Sequence, residues 1–420
     1  MAWEMVELYW LALTRDVPYR EYESSRPTTD AITDLNALSS PASPALVKKL
    51  RPNSLFRGET SGELIGPYIS QFLWQPIPFG ATSIDQRERY PMPGQDFLIE
   101  FQEWLANQQG MKPKRKLVLD TGRRYIHNYR DLAEYVRRIF SIQPYLNAAI
   151  LALSFGEDAL SPTNPYRGSK TEFGDLTFGG KNIVALLGQA AQVAEKAAWY
   201  EKWLVHCRLR PEVYGGVHNQ LSAVKSYDIF HELLNCEGVS RVKAANGTSL
   251  LPVTYPEGSP THPSYRAAHA TIAGACATVL NVFFSEDFLF PDAVDVSREG
   301  FSLDRWNGPR LTLGNEIDKL AGSRMAVARR LSTTAPTVHR DCYWVKRRRS
   351  ASCATTASLI ASVSTALSSR DLMVGESVLP MGKYWRSGHE RRSRGNRGHR
   401  NGRRYDRVFA VDFRYCDSDQ

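Results

Sequence analysis

The sequence predicts an all-α protein: a helical bundle followed by a basic, poorly ordered C-terminal tail. Three observations lead there. Apolar residues recur at helical spacing in several separate segments, while the apolar–polar alternation of half-buried strands is scarce. Turn-rich stretches at 159–181 and 246–264 punctuate those segments. Charge is also uneven. Residues 323–420 carry 20 Lys+Arg and 8 Asp+Glu, a net +12, whereas the first 322 carry 33 and 36, a net −3. The overall +9 is therefore a property of the tail.

The elements follow in order. Met1–Thr14 reads as a short amphipathic helix, and Ser39–Pro44 as a Ser/Pro loop. Asp96–Gln109 places Phe97, Phe101, Trp104 and Leu105 at helical spacing, with Asp96 as its cap. Asp131–Phe140 and Gln143–Ser154 form two further helices, separated near Pro144. The strongest helix is Asn182–Leu209, capped by Asn182, rich in Ala, Leu, Gln, Glu and Lys, and ended by Pro211. His269–Phe284 carries Ala270, Gly274, Ala275 and Ala277, small residues that permit close packing against a neighbouring helix. Past residue 322 no helical or strand period is sustained. The resulting division is an N-terminal, mostly helical region 1–130, a bundle core 131–322 and a tail 323–420.

Several classes are excluded. No run of about 18 apolar residues is present, so no membrane span is expected. Met1–Thr14 lacks the basic start and small-residue cleavage site of a signal peptide. The six cysteines are widely spaced and form no Cys-x-x-Cys, which argues against structural zinc or a dense disulfide framework.

Two segments carry chemistry. In Lys202-Trp203-Leu204-Val205-His206-Cys207-Arg208-Leu209-Arg210-Pro211-Glu212, Lys202 and Arg210 are two long cations that can converge on one compact anion. A planar guanidinium suits an oxyanion because it donates two hydrogen bonds at once. The competing reading is a solvated basic face. In Ser259-Pro260-Thr261-His262-Pro263-Ser264-Tyr265-Arg266-Ala267-Ala268-His269-Ala270-Thr271, a loop of small residues runs into a helix N-terminus. Free N–H groups and the helix dipole favour an anion there. His269, at that terminus, can move protons near neutral pH. The competing reading makes His262 and His269 ordinary loop and cap residues.

Together the two segments resemble the bromoperoxidase-like branch of the vanadium-dependent haloperoxidases, within the superfamily shared with type 2 phosphatidic acid phosphatases. The resemblance covers roughly residues 20–322. It implies the helical bundle of the haloperoxidase and acid phosphatase type, and vanadate as the cofactor. It also implies oxidation of halide, bromide foremost, by hydrogen peroxide through a peroxovanadate intermediate, and small organic molecules as halogen acceptors. Lys202, Arg210, the backbone of Ala268 and His269 would bind vanadate. His269 would be the acid–base histidine, Lys202 would polarise bound peroxide, and His262 and Ala267 would lie near the cofactor. A homo-oligomer is compatible with this reading.

The chain departs from the family pattern in places. Ala267-Ala268 replaces the usual Ser-Gly, and Arg266 replaces a proline. The third motif, an Arg followed by Gly-x-His with the covalent vanadium ligand, is not at family spacing after Leu313–Ala321. The nearest histidine is His339, with Asp341 beside it. The abrupt end of the resemblance at Ala321, the charge jump and the lost period together predict a tail that is disordered or translated out of frame. Its Arg391–Arg404 run would bind nucleic acid only non-specifically. Two rival readings stand beside the peroxidase. One is a phosphatase acting on phosphomonoesters through the same oxyanion cradle; the other is a degenerate, non-enzymatic protein.

Overall fold

The computed structural model describes residues 2–38, 49–58, 60, 62–221 and 231–331. All of them fall in one compact unit, 1–358, while a second unit, 359–420, lies outside the described residues. The loop expected at Ser39–Pro44 and most of the tail are likewise outside them.

The described chain is helical, as its periodicity predicts. Helix α1 is Ala2–Thr14, but it is not amphipathic. Trp3, Met5, Val6, Leu8, Tyr9, Trp10 and Leu11 are buried, and so are Glu4 and Glu7. Other elements surround it. The Tyr9 hydroxyl donates to the Ser249 carbonyl at 2.6 Å, and Trp10 Nε1 donates to Asp34 at 2.6 Å from α2, Arg26–Ala37. Helix α3 is Phe101–Gln108, shorter than expected at its N-terminus. Asp96 does not cap it. Its carboxylate pairs instead with Arg130 at 3.1 Å and Arg15 at 3.6 Å, and a buried cation outcompetes a backbone N–H for it. Helices α4, Tyr129–Arg138, and α5, Gln143–Leu153, lie where expected; Asn128 caps α4 by accepting from the Asp131 N–H at 2.9 Å.

Helix α6 is Gly180–Tyr200, preceded by Gly179. Asn182 sits inside it and accepts from the Phe178 N–H at 3.1 Å, so it ties the helix to the preceding turn without being the cap residue. The helix does not run on regularly to Leu209. A π-helical segment, Glu201–His206, follows it, and Cys207 with φ of 44° ends it. Pro211 then opens α7, Pro211–Leu221, at a position where its missing N–H costs nothing. Helices α8, His231–Asn235, and α9, Glu237–Asn246, precede the second turn-rich stretch. Helix α10 is Ala268–Phe283, and α11 is Leu313–Leu331. Backbone helix thus continues past Ala321, through nine residues assigned above to the tail, because the i to i+4 ladder propagates once started. Two short antiparallel hairpins complete the described chain: β1 Ile77–Phe79 with β2 Thr82–Ile84, and β3 Val294–Val296 with β4 Leu303–Arg305.

Helix α10 packs against both α6 and α11. Its buried Ala270, Ala273, Gly274 and Ala277 let the backbones approach, and α6 answers with Ile183, Leu187, Ala191, Ala194 and Ala198. On α11, Lys319 pairs with Glu316 at 2.6 Å, both buried. The α6–α10 contact brings the two chemistry-bearing segments together, because one follows α6 and the other precedes α10.

Candidate functional site

Lys202 is fully buried. It lies in the π-helical turn, an irregularity often found at functional positions. Its Nζ donates to the Pro263 carbonyl at 2.7 Å and to the Ser264 carbonyl at 3.3 Å. The loop leading into α10 therefore folds directly over the ammonium. Ser264, also fully buried, returns the connection: its N–H donates to the Arg208 carbonyl at 2.9 Å and its hydroxyl to the Leu209 carbonyl at 2.7 Å.

Arg210 lies off the α6 line, just before Pro211. Its Nε donates to Glu212 Oε1 at 3.0 Å and its Nη1 to the His262 carbonyl at 3.1 Å. Its Nη2 is buried and has no hydrogen-bond partner among the described residues. Burial lowers the guanidinium from the usual arginine range, and Glu212 opposes that shift. A buried N–H that lacks an acceptor costs free energy, so its presence calls for an explanation.

His262 lies within the electrostatic reach of both cations. Its Nδ1 is 3.0 Å from the Pro263 carbonyl and 3.5 Å from Arg210 Nη1, and its ring rests against Trp199 with centroids 5.3 Å apart. Burial, then the charges of Lys202 and Arg210, push its pKa down to about 4. The imidazole is neutral at neutral pH. Ala267 is fully buried and precedes α10 without a capping side chain; Ala268 and His269 follow as the first two residues of that helix. The structure thus gathers Lys202, Arg210 and His262 and sets Ala267, Ala268 and His269 at the helix end that the same loop enters. His339 lies outside the described residues.

The sequence reading missed three supporting groups. Glu212 neutralises Arg210, and only the two-residue spacing across Pro211 hints at it. Glu4 of α1 pairs with Arg208 at 3.1 Å from 204 residues away, which no local signal reveals. Glu201 contacts both His206 and Arg266, at 3.0 and 3.5 Å.

Two buried cations, an orphaned donor and a helix N-terminus are groups of the kind that could hold a compact oxyanion. The chain is 34% identical over 346 residues to a vanadium-dependent bromoperoxidase of Ascophyllum nodosum, covering 76% of this chain and 61% of that protein. It is 30% identical over 394 residues to the vanadium-dependent bromoperoxidase of Corallina officinalis, covering 78% and 65%. The chain is related to the vanadium-dependent haloperoxidases. It spans 61–65% of the length of these bromoperoxidase relatives. A solved structure, the homohexameric second vanadate-dependent bromoperoxidase of Ascophyllum nodosum, shares the fold. Its TM-score is 0.75 at 22% identity, over 82% of this chain and 63% of that one. No protein-family profile matches the chain. Among the described residues, no helix is long and apolar enough to cross a membrane, and no cluster of His, Cys, Asp and Glu is suited to hold a metal ion. The mostly helical fold is the haloperoxidase one.

Proposed function

We propose that this haloperoxidase relative binds vanadate in the Lys202–Arg210 cradle and oxidises halide, bromide foremost, with hydrogen peroxide. The observation that carries this is the orphaned Nη2 of buried Arg210, whose side chain and that of buried Lys202 both donate to carbonyls of the same loop, 262–264. The residues fit the cofactor's charge. Vanadate is a tetrahedral oxyanion, and the site supplies positive charge and N–H donors.

Bound vanadate supplies the Lewis acid that activates peroxide toward halide. Arg210 would hold the anion by donating its open Nη2–H to one of its oxygens. Lys202 holds the loop carbonyls and sets positive charge against the developing negative charge. The Ala268 N–H at the start of α10 adds a donor, and an imidazole nitrogen of His269 takes and returns the peroxide proton. Ala267 offers no hydroxyl, so the cradle lacks one donor worth about 1.5–3 kcal/mol to a charged acceptor. His339, the nearest histidine to the third-motif position, would be the ligand to the metal only if the tail is in frame. Hydrogen peroxide, halide and small organic acceptors are the proposed partners, within a homo-oligomer. Regions 1–130 and 131–322 are proposed as N-terminal region and bundle core, with the basic tail binding nucleic acid only non-specifically.

The missing hydroxyl favours one second reading: an oxyanion-binding homologue that turns over slowly or not at all. Assays of the same preparation with orthovanadate, peroxide and bromide, and separately with a phosphomonoester, distinguish the cases. Vanadate-dependent bromination is expected. Phosphate release without bromination would favour the phosphatase, and neither activity would favour the degenerate homologue.

A further inference from the structure

Outside the cradle, four side chains pile onto one another at the junction of the same two segments. Glu201 and His206 belong to the π-helical turn; Tyr265 and Arg266 belong to the loop before α10. Glu201 Oε2 is 3.0 Å from His206 Nε2 and 3.5 Å from Arg266 Nε. The His206 ring lies 4.4 Å from that of Tyr265, and the Arg266 guanidinium lies 5.3 Å from the same ring. Glu201 adjoins Lys202, and Arg266 adjoins Ala267, the residue before α10. The cluster therefore spans the two strands of chain that form the cradle.

Its charge arrangement is unusual for a purely structural clamp. Glu201 and Arg266 are 32% and 30% exposed, and their contact is long, so the pair belongs to the weak class of surface ion pairs. Glu201 also places a negative charge next in sequence to Lys202. A clamp selected only for strength would be buried or bidentate. A weak pair with its arginine two residues before the first residue of α10 is instead open to exchange: an incoming oxyanion competes with the Glu201 carboxylate for the guanidinium.

We propose that Arg266 is a further anion-positioning residue of this site, held by Glu201 in the absence of ligand and transferred to the oxyanion when one binds. Glu201 thereby lowers the affinity of the resting site and selects for ligands charged enough to displace it. This rests on the oxyanion-binding reading above.

The test is calorimetric titration of the full chain with inorganic phosphate at low ionic strength. Wild type is compared with Glu201→Gln, Arg266→Ala, the double variant, and Arg210→Ala as the reporter of the cradle itself. Glu201→Gln is expected to tighten binding by about 5-fold and Arg266→Ala to weaken it, with the double variant matching Arg266→Ala. A merely structural clamp would weaken binding in both single variants, and that result overturns the inference. So does wild-type binding that requires Arg210 but is unchanged by Glu201→Gln; the cradle then stands without Arg266. No phosphate or orthovanadate binding in any form, wild type included, overturns the cradle reading and this inference together. Melting temperatures establish that each variant is folded. Should Glu201→Gln not fold, Arg266→Ala against Arg266→Lys decides: binding equal in wild type and Arg266→Ala overturns the inference.

Discussion

Arg210 and Glu212 are joined side chain to side chain across Pro211, Nε to Oε1 at 3.0 Å, with both groups almost wholly buried. The carboxylate makes a buried guanidinium tolerable while leaving its Nη2 open. Removing one partner of such a pair strands a charge. Glu212→Ala is expected to destabilise the protein by about 3–5 kcal/mol, and Glu212→Gln, which keeps an acceptor, by less. Urea denaturation of the two variants checks this; equal loss in both would mean that the charge of Glu212, and not its hydrogen-bond acceptor, dominates.

His262 predicts a pH dependence. Its pKa falls from 6.5 to about 4 on folding, so between those values the unfolded chain binds more protons than the native one. The stabilisation is full above about pH 6.5 and is lost as pH falls toward 4, by up to about 3 kcal/mol. His262→Gln should flatten that limb of the stability curve. A bound anion favours the protonated ring, so affinity for sulfate, whose charge is constant over this range, should rise from about pH 7 to about pH 5 in wild type. An unchanged sulfate affinity across that range in wild type would remove His262 from the site.

Helix α10 meets α6 through alanines that are fully buried at 273 and 277. Ala277→Leu should force the helices apart and cost about 1–3 kcal/mol, and it should also weaken anion binding, because the same contact brings the two motif segments together. Lost stability with unaltered phosphate affinity would uncouple the packing from the site.

Much of this was legible in the sequence. Lys202, Arg210 and His262 sit in two extended motifs, and the small residues of α10 announced a close helix contact. What stayed hidden was non-local or geometric. Arg15 and Arg130 draw Asp96 away from the α3 cap. The break at Cys207 turns the expected long helix Asn182–Leu209 into α6 and a π turn. Helix α1 is buried on every face because α2, α8 and α9 pack around it, and no periodicity in its own residues reveals that.

The tail remains a sequence-level proposal. A frame change near codon 322 predicts that another frame of the downstream DNA encodes an Arg followed by Gly-x-His and a helical apolar period. Sequencing the gene across codons 322–345 checks it; the absence of such a motif in every frame would refute it.

The central claim is that Lys202 and Arg210 form an oxyanion cradle. Titration of wild type, Lys202→Met and Arg210→Ala with orthovanadate tests it most directly. Binding in wild type is expected, weaker than in a relative whose three motifs are all at family spacing, with at least a 10-fold loss in each variant, about 1.4 kcal/mol or more. Retained affinity in folded Arg210→Ala and Lys202→Met would contradict it.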